Sequence, residues 1–331
     1  MSDAIARRGL LAGAALALSA TTLASRRLAA QEANFPTRPV TLINAYPPGG
    51  VTDTATRVLA ERMGQVLGQN VVVDNRPGGA TSPASTAVAT AKPDGYTLLM
   101  GSPTLAINPA LQPSLTPRAP QKELVAVAMG YRTPMVLHLH PSVPAKTLPE
   151  FIAYVRAHPG QVNYGSSGIG AVNHLCMELL RARAGLDMVH VPYRGGVQAL
   201  LDLRSGRVQA MFSAALEAAP PITEGVTRGL AVSSAQRLAL LHDLPPVGET
   251  LPGYDVAFWQ GLFAPAGTPA PVLAKLEAAM LTATRDPALV QRLATQGVAV
   301  VPETGAQLAA LLARDSETWS ALIRDAGIRP D

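Results

Sequence analysis

The chain has 331 residues, of which 48% are hydrophobic and only 4% aromatic, with 27 basic against 23 acidic groups. Residues 1–30 hold four of those basic groups and one of the acids, so the remainder carries 23 basic and 22 acidic groups, a net of +1. A near-neutral body with no basic run offers neither the electrostatic footprint nor the stacking surface of a nucleic-acid binder, and a single cysteine, Cys176, excludes an intramolecular disulfide.

Residues 1–30 read as an export signal. Arg7 and Arg8 form a positive start, residues 9–23 are an uninterrupted small and apolar run, and small-residue cleavage sites follow at 22–24 or 28–30. The run is shorter than the ~20 residues of a membrane span, and no later segment offers another. Arg7 and Arg8 ahead of Gly9 also fit a twin-arginine signal, which leaves the export route open.

From residue 39 the pattern alternates strand and helix. PVTLINAY reads as a strand, 53–68 as a helix ending at Gly68, NVVVDN as a strand, 86–93 as a helix stopped by Pro93, and YTLLMGS as a strand. This is βαβ traffic and predicts parallel pairing. Residues 109–120 are proline-rich and poorly periodic, and ELVAVAMGY and the separate apolar run MVLHLH follow. Alternation resumes with helices at 149–158, 172–184 and 197–203 among the strands VNYGSS, MVHVPY, VQAMFS and GLAVSS. A strand FWQGLFAP, a helix at 271–285, the pair RLATQGVAVVP and a helix at 304–326 complete the chain.

Two α/β units follow from this order, and the length suffices for two domains of ~100–200 residues each. Final helices that pack back on the first unit require two crossings, and MVLHLH and FWQGLFAP are the extended segments suited to be a hinge. The expected division is residues 31–133 with 256–331 as domain 1 and 134–255 as domain 2.

Two strand-to-helix turns carry most of the functional signal: YPPGGVTD (46–53) and YGSSGIGAVNH (164–174). Glycines let a ligand approach the backbone, and the free N–H groups of a first helical turn attract carboxylate or phosphate without a cationic side chain. PYRGGVQAL (192–200) is a third such turn, to which Arg194 adds a charge. Ligands of open α/β sheets sit beyond the carboxyl ends of the strands, so the turns are expected to face one interdomain cleft. Asp53 is placed to accept N–H groups from its own loop, and His174 to bond the backbone of its loop or to touch ligand. Tyr46, Tyr193 and Trp259 either wall a cleft or fill a core.

Enzyme readings fit less well. GSSGI (165–169) has Ile169 where a nucleophile elbow needs its second glycine, and GIGAVN (168–173) has Asn173 at the third glycine of a dinucleotide fingerprint. His138 and His140 alternate on a strand but lack a third metal ligand. Cys176 sits in a helical pattern as a small hydrophobe, without an electropositive setting. No metal or cofactor is expected. A hydrolase or isomerase using Ser166 or Ser167 with His174 remains the alternative, and a ligand-free scaffold a third class.

Taken together, RPVTLINAYPPGGVTD, VVVDNRPGG, KPDGYTLLMGS, AINPAL, VNYGSSGIG, HVPYRGG, VQAMFS and LFAPAGTP resemble the Bug-type extracytoplasmic solute receptors of tripartite tricarboxylate transporters. The resemblance runs in family order from residue 38 to 269. It implies a monomeric periplasmic receptor of the type II-like, two-domain Venus-flytrap class. Such a receptor holds a small carboxylate through backbone amides and ordered water and delivers it to the membrane subunits of a transporter or to a sensor protein. Carried over by position, the ligand residues are Tyr46, Pro48, Gly49, Gly50, Thr52 and Asp53 in the first turn, and Gly101, Ser102 and Thr104 after the third strand. In the second domain they are Ser166, Ser167, Gly168, Gly170, Ala171 and His174, then Tyr193, Arg194 and Gly195, and Ser213.

Three departures bear on the ligand. Ala171 and Val172 follow the second loop's G-x-G, where the family usually has a hydroxyl residue, which suits a carboxylate with an apolar or aromatic body. Ser213 stands where many relatives carry aspartate, which argues against a ligand whose ammonium needs an acidic partner. The glycine run after DNRPG is shortened, with Ser82 expected to cap the next helix and Pro83 to start it.

Overall fold

The computed structural model describes residues 34–330, so the export signal read at residues 1–30 lies outside the described residues. The first lobe opens with strand β1 (Val40–Asn44), helix α1 (Val51–Leu67) and strand β2 (Val71–Asn75). Helix α2 (Ser82–Ala89), strand β3 (Thr97–Gly101) and helix α3 (Thr104–Leu111) follow. β1 pairs in parallel with both β2 and β3, as the βαβ order predicts. Gly68 ends α1 in the left-handed region at φ 69°, where only a residue without Cβ is at ease.

After the single turn α4 (Pro120–Glu123), one 16-residue strand, β4 (Leu124–Leu139), joins the lobes. The sequence suggests two separate segments here; the structure makes them one. Up to Pro134 the strand pairs with β9 (Ala257–Pro265), and from Met135 it pairs with β7 (Ala210–Ala214) and, from Val136, with β8 (Arg228–Val232), all antiparallel. Pro134 interrupts nothing because it sits where the partner strands change, a position that tolerates a residue with no N–H to give. The return passes at Val256, whose N–H donates to Ser233 before Ala257 meets Pro134. FWQGLFAP itself is therefore a first-lobe strand, between β3 and β4, and only its entry makes the crossing.

The second lobe contains α5 (Leu148–Ala157), β5 (Asn163–Ser166), α6 (Val172–Ala184), β6 (Val189–Pro192), α7 (Gly196–Arg204), and α8 (Ala215–Thr223) directly after β7. β5 is parallel to β6 and β7. The chain closes with α9 (Ala270–Thr284), α10 (Pro287–Ala294), the two-residue β10 (Ala299–Val300) and α11 (Gly305–Asp325). α11 buries Leu308, Leu311, Leu312, Trp319, Leu322 and Ile323, a stripe at helical spacing that packs on α3 and β4 and reaches α6. Its approach to β4 is close enough that a Cβ on Gly305 would stand 2.5 Å from the Ala126 carbonyl oxygen. The result is a two-domain α/β Venus flytrap with a mixed sheet, parallel through β2, β1 and β3 and through β7, β5 and β6, and antiparallel around β9 and β4. No helix of the described residues is long and apolar enough to cross a membrane.

Candidate functional site

A cleft of about 530 Å³ lies between the lobes, and six helices begin at its wall. Val51 and Thr52 start α1, Thr81 precedes α2, and Pro103 and Thr104 start α3. From the second lobe come Ala171, Val172 and Asn173 of α6, Gly196 of α7, and Ala214, Leu216 and Glu217 of α8. None of the six N-cap residues, Gly50, Thr81, Pro103, Ala171, Gly195 and Ala214, bonds its own helix through a side chain. Elsewhere Thr147, Asp286 and Thr304 cap α5, α10 and α11 in the ordinary way, while α4 and α9 start without a side-chain cap. Each uncapped terminus is worth ~0.3–1 kcal/mol to an anion beside it, so several together replace a cationic side chain. Among the described residues no lysine or arginine lines the cleft. Grooves of 660 and 580 Å³ elsewhere are lined by the C-terminal halves of α1, α6 and α11, whose carbonyl ends repel anions.

Hydroxyl groups wire the first-lobe wall. The Tyr46 hydroxyl donates to Ser102 Oγ at 3.1 Å, which lies 2.8 Å from Thr104 Oγ1, which in turn lies 2.6 Å from Thr81 Oγ1. Burial pushes the Tyr46 phenol up to about 12, so it stays a donor. Ala80 and Thr81 hold φ values of 50° and 67°, a conformation that costs a non-glycine residue ~1 kcal/mol or more and brings Thr81 to the wall. Asp53 stands one layer back, with Gly49 N–H and Arg57 Nε donating to Oδ2 at 2.9 and 3.0 Å and Asn75 Nδ2 to Oδ1 at 2.8 Å. Burial alone would raise its carboxyl, but the Arg57, Gly49 and Asn75 donors together hold it below the usual range.

The second-lobe loop is organised by Asn173 and His174. Asn173 Oδ1 accepts from the Ser167 hydroxyl at 2.9 Å and from His174 N–H at 3.0 Å. His174 Nδ1 accepts from Gly170 N–H at 3.1 Å, the backbone role that the sequence allows. Its ring stacks on His190 at 4.0 Å, and burial, with His190 and Arg181 nearby, lowers its pKa to about 3. Ser166 meets His190 Nε2 at 2.7 Å but is fully buried, and Ser167, at the cleft wall, bonds Asn173. Neither serine is bonded to His174, so the nucleophile pair of the enzyme alternative is not assembled.

The chain matches the model of the tripartite tricarboxylate transporter family receptor, TctC, over residues 55–328. It belongs to the TctC receptor family. A curated relative, the UPF0065 protein in the tcbD-tcbE intergenic region of Pseudomonas sp. strain P51, is 35% identical over 321 residues, covering 96% of this chain and 94% of the relative. Among solved structures, a periplasmic transporter is 33% identical with a TM-score of 0.74, covering 90% of this chain and all of that one. R. palustris Rpa4515 with adipate is 30% identical with a TM-score of 0.73, covering 90% of this chain and 100% of that one. MatC of Rhodopseudomonas palustris with bound malate is 34% identical with a TM-score of 0.71, covering 87% and 100%. The TctC family is one of periplasmic solute receptors, not of enzymes.

Of the residues expected to contact ligand in this TctC receptor, Tyr46, Thr52, Thr104, Ser167, Gly170 and Ala171 line the cleft. Pro48, Gly49 and Gly50 form the exposed turn before α1, beside Asp53. Gly101 lies within β3, where a Cβ would meet Phe263 at 2.7 Å, and Ser102 acts through Tyr46 and Thr104. Ser166, Gly168 and His174 shape the second loop from behind, with Ser166 Oγ accepting from Gly168 N–H. Tyr193 turns its hydroxyl to Asp202 at 2.7 Å; Arg194 is exposed and Gly195 caps α7, both outside the lining. Ser213 is buried against His138 Nε2 at 2.9 Å and does not line the cleft, so the residue at this position does not bear on whether an ammonium group fits there. Trp259 belongs to the core, its indole N–H donating to Asp315 at 2.8 Å. Ser82 lies inside α2 after the N-cap Thr81 and donates to the Thr116 carbonyl at 2.6 Å, while Pro83 sits in the first turn as expected.

The lining residues that sequence reasoning misses include Thr81, Asn173, and Ala214, Leu216 and Glu217 at the start of α8, with Thr133, Met135 and Phe258 from the hinge side. DNRPGG followed by SP was the legible sign of a helix start at Thr81. The 214–217 segment gave none, because Pro220 and Pro221 disguise α8.

Proposed function

We propose that this receptor captures a small organic carboxylate between its lobes and hands it, unaltered, to the membrane subunits of a tripartite transporter or to a sensor protein. The observation that carries this reading is the convergence of six helix N-termini, none bonded by its N-cap side chain, on a cleft lined by no lysine or arginine of the described residues. The ligands of the two Rhodopseudomonas neighbours, adipate and malate, agree with it. The carboxylate is assigned to the Thr52, Thr104, Ser167 and Gly170 side of the cleft, with Tyr46 as a donor. Val172, Ile107, Met135 and Phe258 suit an apolar body. The lobes are assigned as residues 31–133 with 256–331 and residues 134–255, hinged at Pro134 and Val256, and the chain is assigned to the periplasm after removal of residues 1–30.

Calorimetric titration with mono- and dicarboxylic acids, each beside its amide, tests the reading. Acids bind and amides do not, because an amide brings no charge to the helix termini. Equal binding of an acid and its amide would contradict it, and a citrate- or malate-like acid bound in preference to every apolar acid would contradict the apolar body.

A further inference from the structure

Among the described residues Glu217 is the only acidic or basic side chain lining the cleft, and it stands exposed there, its carboxyl raised by the surrounding protein and lowered by the Ala214 N–H. It lies in the first turn of α8, where the Ala214 N–H bonds it, and among the described residues it takes part in no ion pair. Both of its oxygens face the start of α7: a methyl group on Gly196 would stand 3.5 Å from Oε2 and 3.9 Å from Oε1. The carboxylate therefore already occupies the anion-attracting ends of α7 and α8. The termini of α1, α2, α3 and α6 stay open to a ligand carboxylate. A ligand anchored there extends toward Glu217, and what it presents to that carboxylate decides whether it fits.

We propose that Glu217 makes this cleft select carboxylates that also carry a protonated amine, over dicarboxylates of the same length. The proposal rests on the carboxylate reading above and goes beyond it by fixing the ligand's second group. A dicarboxylate would set like charges against each other with no cation in the lining between them, whereas an ammonium supplies the missing partner and three N–H donors. This receptor then differs in ligand class from its malate- and adipate-bound neighbours.

The test is calorimetric binding of two length-matched series to the exported chain: 4-aminobutyrate, butyrate and succinate, and 6-aminohexanoate, hexanoate and adipate. The wild type binds the amino acid of at least one series roughly tenfold or more tightly than the matching diacid, the range expected for a hydrogen-bonded charge pair. Glu217→Gln keeps an acceptor for the Ala214 N–H and abolishes that preference; Glu217→Asp, which keeps the charge, retains part of it. A wild type that binds the diacid as tightly as the amino acid in both series, or a preference that survives Glu217→Gln, overturns the proposal and leaves the carboxylate reading intact. Failure of every acid to bind either form overturns both.

Discussion

Asp53 and the two buried histidines show how single residues set the molecule's response to pH. Asp53 is almost fully buried and accepts from Gly49, Arg57 and Asn75, so Asp53→Ala should cost ~1–3 kcal/mol by urea unfolding at pH 7. Its folded pKa is depressed, so its contribution is complete above the unfolded value of ~3.9 and is lost as pH falls through the folded value. The gap between wild type and variant narrows below about pH 4, and a gap that stays constant to acid pH would contradict the assignment. His138 and His174 act in a different window. Both have folded values of about 3, His138 because it is buried against Ser213 and Thr227, His174 because burial and its charged neighbours disfavour the cation. Between that value and ~6.5 the unfolded chain binds more protons, so stability falls as pH falls, by up to ~1.4 kcal/mol per pH unit per histidine. His138→Gln should roughly halve the histidine part of this slope, and an unchanged slope would show that it carries no such load. Asp53 and His174 were legible in the sequence because both act on their own turns. Ser213 and Glu217 were not, since which of them faces the cleft depends on the path of the chain after β7.

At the scale of elements, the lobes touch across the cleft where glycine leaves room. A Cβ on Gly170, in the second-lobe loop, would collide with Leu111 Cδ2 of α3 in the first lobe, and the residue's φ is +78°. Gly170→Ala should hold the lobes apart and weaken ligand affinity roughly tenfold or more, and Leu111→Ala in the same chain should restore part of it. Without restoration, the loss comes from backbone strain in the loop and not from closure. Gly305→Ala, which drives a Cβ against the Ala126 and Val127 carbonyls, should lift α11 off β4 and cost ~1–3 kcal/mol in unfolding experiments. The strand–helix alternation was readable because apolar runs and glycine turns are local. α3 and α8 escaped notice because each contains proline, Pro109 in one and Pro220 with Pro221 in the other, in helices of eight and nine residues whose stability comes from packing, not propensity. β4 looked like two segments for a related reason: Pro134 resembles a break until the change of strand partners is seen.

For the molecule as a whole, the two α/β units and their double crossing followed from the order of elements, and closure around a ligand follows from two lobes joined through one continuous strand and one return. The chemistry of the second wall did not follow from the sequence, because it needs side chains from both lobes brought together. The central claim is that this TctC receptor binds a small carboxylate and returns it unchanged. The most direct test is thermal unfolding of residues 31–331, stripped of carried-over ligand by partial unfolding and refolding, against a panel of carboxylic and amino acids, with mass analysis of the compound recovered. An acid at a hundred times its dissociation constant should stabilise the protein by ~2.7 kcal/mol, a shift of several degrees, and be recovered intact. No shift across the panel, or recovery of a chemically altered acid, would contradict the account.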